Sequence, residues 1–342
     1  MKRYCYWDNM KFILMVFVVI GHFIDNPAID GNRFSQALFV LIYSFHMPMF
    51  LFVSGVFLKY DSAHKLRWDR VIYYILIGYF MKAGMWFMEW IAGGDPNWSW
   101  FSEDNVPWYM FVTAGYLILV YVIKSLSPKL VLPLAVAVSL AAGYFNFIGD
   151  FLCLSKFLVF FPFFYAGYCF TPQNVENFLH KKAVRITGLV VTFMFGIFCF
   201  AFTERAYLLR PVFASRYSYS EMDFSYIGIF LRIFQYLIAV FMIIGISALV
   251  PQKRIKFFTG AGSRTIPIYF IHYFLVRLCT AVDLQMILVE KLSYFGVILL
   301  IGIAFAVTCL LAAPIFDLPF KTIQRAIAWI INKIKDKRVN IN

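Results

Sequence analysis

Apolar residues along this chain gather into ten long runs, at about 10–29, 37–58, 71–92, 108–124, 130–148, 157–170, 183–203, 226–249, 264–281 and 294–316. Roughly 20 residues carry an α-helix across a bilayer, and these runs have that scale. The sixth is short and broken by proline in FFPFFYAGY. The runs are too long for barrel strands and lack the alternation of an outer-membrane barrel. The pattern predicts an all-α polytopic membrane protein, a bundle of about ten transmembrane helices. It divides the chain into a transmembrane domain over 1–316 and a basic amphipathic cytoplasmic tail over 317–342. In the tail, KTIQRAIAWIINKIKDK is apolar on one face and basic on the other, as expected of an interfacial helix on anionic membrane lipid.

Composition narrows the class further. Of 342 residues, 62% are hydrophobic and 14% charged. A soluble domain is nearer 45–50% apolar and about 25% charged, so soluble, disordered and fibrous classes are excluded. The net charge of +13 would suggest nucleic acid on a soluble chain. Here it reads instead as the positive-inside signal, and no nucleic-acid partner is expected. Basic residues cluster in the loops near 59–70, 124–129, 171–182 and 250–263 and in the C-terminal tail, while Asp30, Asp95, Asp150, Glu221 and Asp283 fall on the opposite side. That parity predicts an even span count with both termini cytoplasmic. The six cysteines lie far apart with no CxxC, and read as small hydrophobes rather than metal ligands. The first run lacks a small-residue cleavage site and is followed by further spans, so it is not expected to be a cleavable signal peptide.

Ionisable groups inside a bilayer cost about 2.5–3.5 kcal/mol each on insertion scales, so each needs a reason to be there. Lys11 and His22 share the first run. Eleven residues place them about 16.5 Å apart along a helix and within roughly 20° of one face. Histidine is the side chain suited to take and return a proton near neutral pH. A histidine that only bonds a neighbouring helix and a lysine that snorkels are the competing reading, and composition leaves both open. Asp25, one turn on, either orients His22 as in a triad or begins the outer loop. Lys65, Arg67 and Arg70 in KLRWDR form a candidate phosphate fork on the cytoplasmic side, where topology alone also puts basic residues. His46 precedes Pro48 in FHMPMFLFVSG, where Ser54-Gly55 lets a second backbone come close. Tyr269 and His272 lie three apart on one helix face in GSRTIPIYFIH. Lys82 and Glu89 share a helix face in the third run, and Arg232 and Arg277 are further buried candidates without assigned partners. The loop at about 204–225, ERAYLLRPVFASRYSYSEMDF, reads either as an interfacial aromatic belt or as a sugar-stacking surface, with the belt favoured.

Taken together, YWDNMKFILMVFVVIGHF, SFHMPMFLFVSG, KLRWDR, PWYMF, FPFFYAGYCF and GSRTIPIYFIH, spread over roughly 4–275, resemble acyltransferase family 3, the membrane-embedded acyl-coenzyme A transferases, and within it the fucose 4-O-acetylase-like group. The resemblance implies that Lys11 and His22 match the basic-residue-and-histidine motif, and that Arg67 and Arg70, with Lys65 beside them, hold the nucleotide of a cytoplasmic acetyl-CoA donor. Two departures stand out. Lysine occupies position 11 where arginine is commoner, and YYILIGYF replaces a Pro-Tyr found in many relatives. The appended hydrolase-like domain of some relatives is not expected.

The implied activity is a membrane O-acyltransferase that moves an acetyl group from acetyl-CoA to a hydroxyl of an extracytoplasmic sugar or polysaccharide. In this reading His22 is general base, with Lys11 and Asp25 beside it, and His46, Ser54, Tyr269 and His272 line the substrate path. No metal is implied. The implied location is the cell membrane, multi-pass, in a bacterial cytoplasmic membrane. The competing class is a transporter or flippase, with His22, Lys82, Glu89 and Arg277 along an intramembrane pathway.

Overall fold

The computed structural model describes residues 5–58, 66–102 and 105–339, the last five of these as backbone. Every apolar run is helical. The first becomes α1 (Cys5–Phe23) and the short α2 (Asp25–Ile29), and the second α3 (Arg33–Tyr43) and α4 (His46–Leu58). The next three become α5 (Trp68–Ile91), α6 (Trp108–Val122) and α7 (Pro128–Ala142). The sixth forms α8 (Leu154–Cys169), which is followed by α9 (Pro172–Leu179), and the seventh forms α10 (Lys182–Ala201). The long loop beyond folds into α11 (Thr203–Tyr207) and α12 (Arg210–Ala214) before α13 (Gly228–Leu249). Then come α14 (Lys256–Ala261), α15 (Thr265–Ala281), α16 (Leu284–Leu292), α17 (Tyr294–Leu311) and α18 (Pro314–Val339). Among the described residues the backbone is otherwise loop, apart from one isolated antiparallel bridge between Ser102 and Phe151.

The ten runs resolve into helices of unequal reach. Five segments are long and apolar enough to cross a membrane: Arg33–Leu58, Trp68–Ile91, Lys182–Ala201, Gly228–Leu249 and Tyr294–Leu311. The number rises to seven if two bent pairs, α8 with α9 and α15 with α16, each count as one span. Helices α6 and α7 are shorter, and α1 carries Asp8, Asn9, Lys11 and His22 within 19 residues.

Helix α1 is apolar on nearly every side and sits in the middle, packed by α3, α4, α14, α15 and α17. Its Trp7, Phe12, Leu14, Met15, Val19 and Phe23 are buried. Helices α10, α13 and α17 instead turn Phe193, Met194, Phe230, Leu237 and Ile298 outward, an exposed apolar surface suited to lipid. Thus α1 carries Asp8, Asn9, Lys11 and His22 into an enclosed position.

Two local breaks shape the interior. Pro48 has no N–H for the Ser44 carbonyl four residues back, and the chain turns at Ser44–Phe45 between α3 and α4. His46 therefore opens α4 as a buried residue. Further along, Gly55 of α4 lies against the Phe164 carbonyl of α8, and Gly167 of α8 lies against the Phe52 carbonyl of α4, so a Cβ at either position would run into backbone. This realises the close approach read at Ser54-Gly55.

The tail region is one helix. Helix α18 begins before residue 317, packs on α5 and α15, buries Phe320 and Ile327, and leaves Trp329, Ile330 and Ile334 exposed. Lys321 and Asp317 pair at 2.7 Å on its first turns.

Candidate active site

Two cavities border α1 and share one lining residue, Tyr269. The first, about 200 Å³, is lined by Lys11 of α1, Ser54 and Phe57 of α4, Arg70 of α5, Tyr109 of α6 and Tyr269 of α15. The second, about 270 Å³, is lined by His22, Asp25, His46, Lys156, Arg210 and, again, Tyr269. Tyr269 thus forms a wall between them, and its hydroxyl donates to the Val106 carbonyl. Because α1 is unbroken from Cys5 to Phe23, Lys11 and His22 are held about 16.5 Å apart along its axis, at opposite ends of the paired cavities.

Three imidazoles gather near the second cavity. His22 makes no hydrogen bond to any described residue; its ring centroid lies 5.3 Å from that of His272 and 5.2 Å from that of Tyr273. His272 is fully buried, and its Nδ1 lies 2.9 Å from the Ile268 carbonyl oxygen. A carbonyl only accepts, so Nδ1 carries the proton and Nε2 presents a lone pair, which has no partner. The same argument applies to His46, whose Nδ1 is 2.9 Å from the Ile42 carbonyl oxygen. His46 and His272 therefore have tautomers set by their own helices, whereas His22 has both ring nitrogens uncommitted.

Asp25 is placed differently from a triad carboxylate. Its Oδ1 accepts from Arg210 at 2.9 Å, and no hydrogen bond joins it to His22 among the described residues. The Arg210 guanidinium also lies over the rings of Phe39, at 5.1 Å, and Tyr207, at 5.9 Å. Arg210 opens α12, in the loop read as an interfacial belt. The structure corrects that preference: Arg210, Phe213, Arg216 and Tyr217 from this loop line the His22 cavity. The fold turns the loop inward because Arg210 finds Asp25 and Arg216 finds Asp150, at 2.7 Å.

Lys156 lies outside the residues that the sequence pattern marks, and Arg210 and Arg216 enter it only as part of the 204–225 loop. Lys156 is buried, 5.4 Å from the Trp108 ring. A usable signal existed for it, since a lysine sits at the head of an apolar run in LSKFLVFF.

The basic cluster of KLRWDR divides. Arg67 caps α5 and gives two hydrogen bonds to Asp69, from Nε at 2.9 Å and from Nη2 at 2.7 Å. Arg70 lines the first cavity with Lys11, whose ammonium pairs with Asp8 at 2.8 Å. Lys65 lies outside the described residues. Ser54 Oγ donates to the Phe50 carbonyl and shares a 2.9 Å hydrogen bond with the Tyr109 hydroxyl. The other ionisable groups singled out in the apolar runs also have settings. Lys82 donates to the Ser102 carbonyl, and Glu89 faces Arg277 at 3.5 Å. Arg232 is buried and donates to Ser215 Oγ at 3.3 Å and Gln235 Oε1 at 3.0 Å. Among the described residues no three His, Cys, Asp or Glu side chains converge as metal ligands.

Comparison with known proteins shows the family. A family model described as an acyltransferase domain, that of acyltransferase family 3, covers residues 5–317. No curated protein and no solved structure matches the chain.

Proposed function

The chain belongs to acyltransferase family 3, and from that premise we propose that it is a membrane O-acetyltransferase using cytoplasmic acetyl-CoA. The acceptor is a hydroxyl on an extracytoplasmic sugar, as in the fucose 4-O-acetylase-like group. The bundle spans the membrane about ten times with both termini cytoplasmic, which puts the Lys11–Arg70 cavity on the donor side and the His22 cavity on the acceptor side. Donor phosphates meet Arg70 and Lys11 in this reading. The pantetheine arm, a chain of about twelve bonds, extends to roughly 14 Å at the reach of a polypeptide. That length is comparable with the separation of Lys11 and His22 along α1, so the thioester reaches the Tyr269 wall while the nucleotide stays at the mouth.

His22 then acts as general base. It takes the proton of the acceptor hydroxyl as the oxygen attacks the thioester carbonyl. The C–S bond breaks, the sugar ester forms, and the imidazolium returns the proton to the leaving thiolate, so the step balances without any further reactant. Asp25 and Arg210, bound to each other, shape the acceptor side of the cavity; His46, which lines it, offers its Nε2 lone pair to a hydroxyl, while His272, fully buried and outside the cavity lining, packs behind the His22 ring.

The observation that carries this reading is the uncommitted His22 ring in the wall of a cavity that shares Tyr269 with a second, cation-lined one. The test is thiol release from acetyl-CoA by purified protein with and without acceptor. His22→Gln is expected to lower turnover by about 10²–10⁴-fold while the protein stays folded in the membrane. Full turnover in that variant removes His22 from the chemistry.

A further inference from the structure

A third cavity, about 390 Å³, lies between α5 and the 96–102 segment. Lys82, Trp86 and Glu89 line it from α5, and Asn97 and Trp98 from the segment opposite. Resting on the acceptor reading above, we infer that this groove is a carbohydrate subsite for the sugar unit adjoining the one acetylated. The acceptor is then an oligosaccharide or polymer rather than a single sugar.

The groove is joined to the His22 cavity by named contacts. Asn105 borders both. Tyr273 donates to Asn105 Oδ1 at 3.3 Å, and its ring lies 5.2 Å from that of His22. Asp150 lines the groove, while Arg216, 2.7 Å from it, lines the His22 cavity. A chain bound along this path has one unit at His22 and the next between the indoles.

The groove is also built rather than loose. The Trp86 indole donates to the Pro96 carbonyl at 2.7 Å, and Lys82 donates to the Ser102 carbonyl, so two side chains of α5 hold the segment from below. The Lys82 ammonium is 5.7 Å from the Trp98 ring, and Trp98 meets Trp100 edge-on at 5.2 Å.

The lining chemistry selects the ligand class. A pyranose presents an apolar C–H face and a rim of hydroxyls. Indoles suit the first, and amide, carboxylate and ammonium groups suit the second. A purely apolar chain would remove water from Lys82, Glu89 and Asp150 and offer them no hydrogen bond in exchange, although each keeps its protein partner. An anion would meet two carboxylates. Tryptophans serving only as an interfacial belt need neither a cavity nor converging polar groups. Trp90 and Trp100 are exposed and fit that belt role, whereas Trp86 and Trp98 are half-buried in the groove wall.

The experiment compares methyl glycosides of L-fucose, L-rhamnose, D-galactose and N-acetyl-D-mannosamine with disaccharides ending in the same sugars. Binding to the purified protein is measured by calorimetry, and acetyl transfer by thiol release. A disaccharide is expected to bind about tenfold more tightly than its methyl glycoside, the scale of one aromatic contact. Trp98→Leu and, in the exposed loop, Asn97→Ala are expected to remove that margin. Disaccharide preference in binding without thiol release supports the groove and sinks the transferase reading instead. Equal binding of both acceptor sizes by the wild type overturns the groove, as does an equal loss for both sizes in the two variants.

Discussion

Replacing Arg70 tests which cation of the KLRWDR cluster meets the donor. Arg70 lines the cavity that also holds Lys11, Ser54, Tyr74 and Tyr109. A hydrogen bond to a charged group contributes about 1.5–3 kcal/mol, and about 1.4 kcal/mol is a factor of ten in binding. Arg70→Ala should therefore raise the KM for acetyl-CoA about ten- to a hundredfold with kcat little changed, the signature of lost uniform binding. Arg67 should behave otherwise. Its guanidinium is already held by two bonds to Asp69 and is 38% exposed. Exposed pairs of this kind contribute about 0–1 kcal/mol, so Arg67→Ala should shift the donor KM by no more than about fivefold. The assay is initial-rate thiol release across a range of acetyl-CoA concentrations at two ionic strengths. The Arg70 contribution should shrink as salt screens it. Equal KM changes in the two variants, or a larger one for Arg67, would refute the assignment of the donor phosphates to the Lys11 cavity.

Other perturbations follow from the packing. Gly55→Ala and Gly167→Ala each push a methyl into backbone across the α4–α8 crossing, at a cost of about 1–3 kcal/mol, so both should lower the melting temperature in detergent. Because one displacement of the two helices relieves both clashes, the double variant should cost less than the sum, and strict additivity would argue against a shared crossing. Asp25→Asn and Arg210→Ala should be coupled by about 0.5–3 kcal/mol in a double-mutant cycle on kcat/KM, since each side chain is the other's partner at the cavity. Independent effects would show that the pair does not act as a unit.

Much of the candidate site's geometry is legible in the sequence, and the residues show why. Lys11 and His22 are on one helix, and Tyr269 and His272 on another, so backbone periodicity alone puts each pair on a common face. The special status of Ser54-Gly55 was equally local, because the lack of a Cβ is a property of the residue itself. The pairing of Asp25 was not legible. Its partner Arg210 lies 185 residues away in a loop whose composition favours a membrane belt. The fork of Arg67 and Arg70 was geometrically sound as a helical pattern. Arg67, however, stands at the cap of α5, outside that periodicity, and reached Asp69 two residues on.

Residue order and hydrophobicity suffice to mark this as a helical membrane protein, to show which scarce polar residues lie among its apolar runs, and to show which of them share a helix face. These follow from hydrophobicity and from short-range backbone geometry, both carried by neighbouring residues. The packed bundle adds that α1 is enclosed, that Tyr269 lines two cavities, and that Arg210, Phe213 and Arg216 of the 204–225 loop turn inward. Those outcomes depend on which helices touch, and lipid-facing and core-facing apolar surface are chemically alike. Hydrophobicity therefore marks the helices without choosing their neighbours. Close backbone contacts such as Gly55 on Phe164, and ion pairs such as Asp25 with Arg210, belong to the assembled bundle alone.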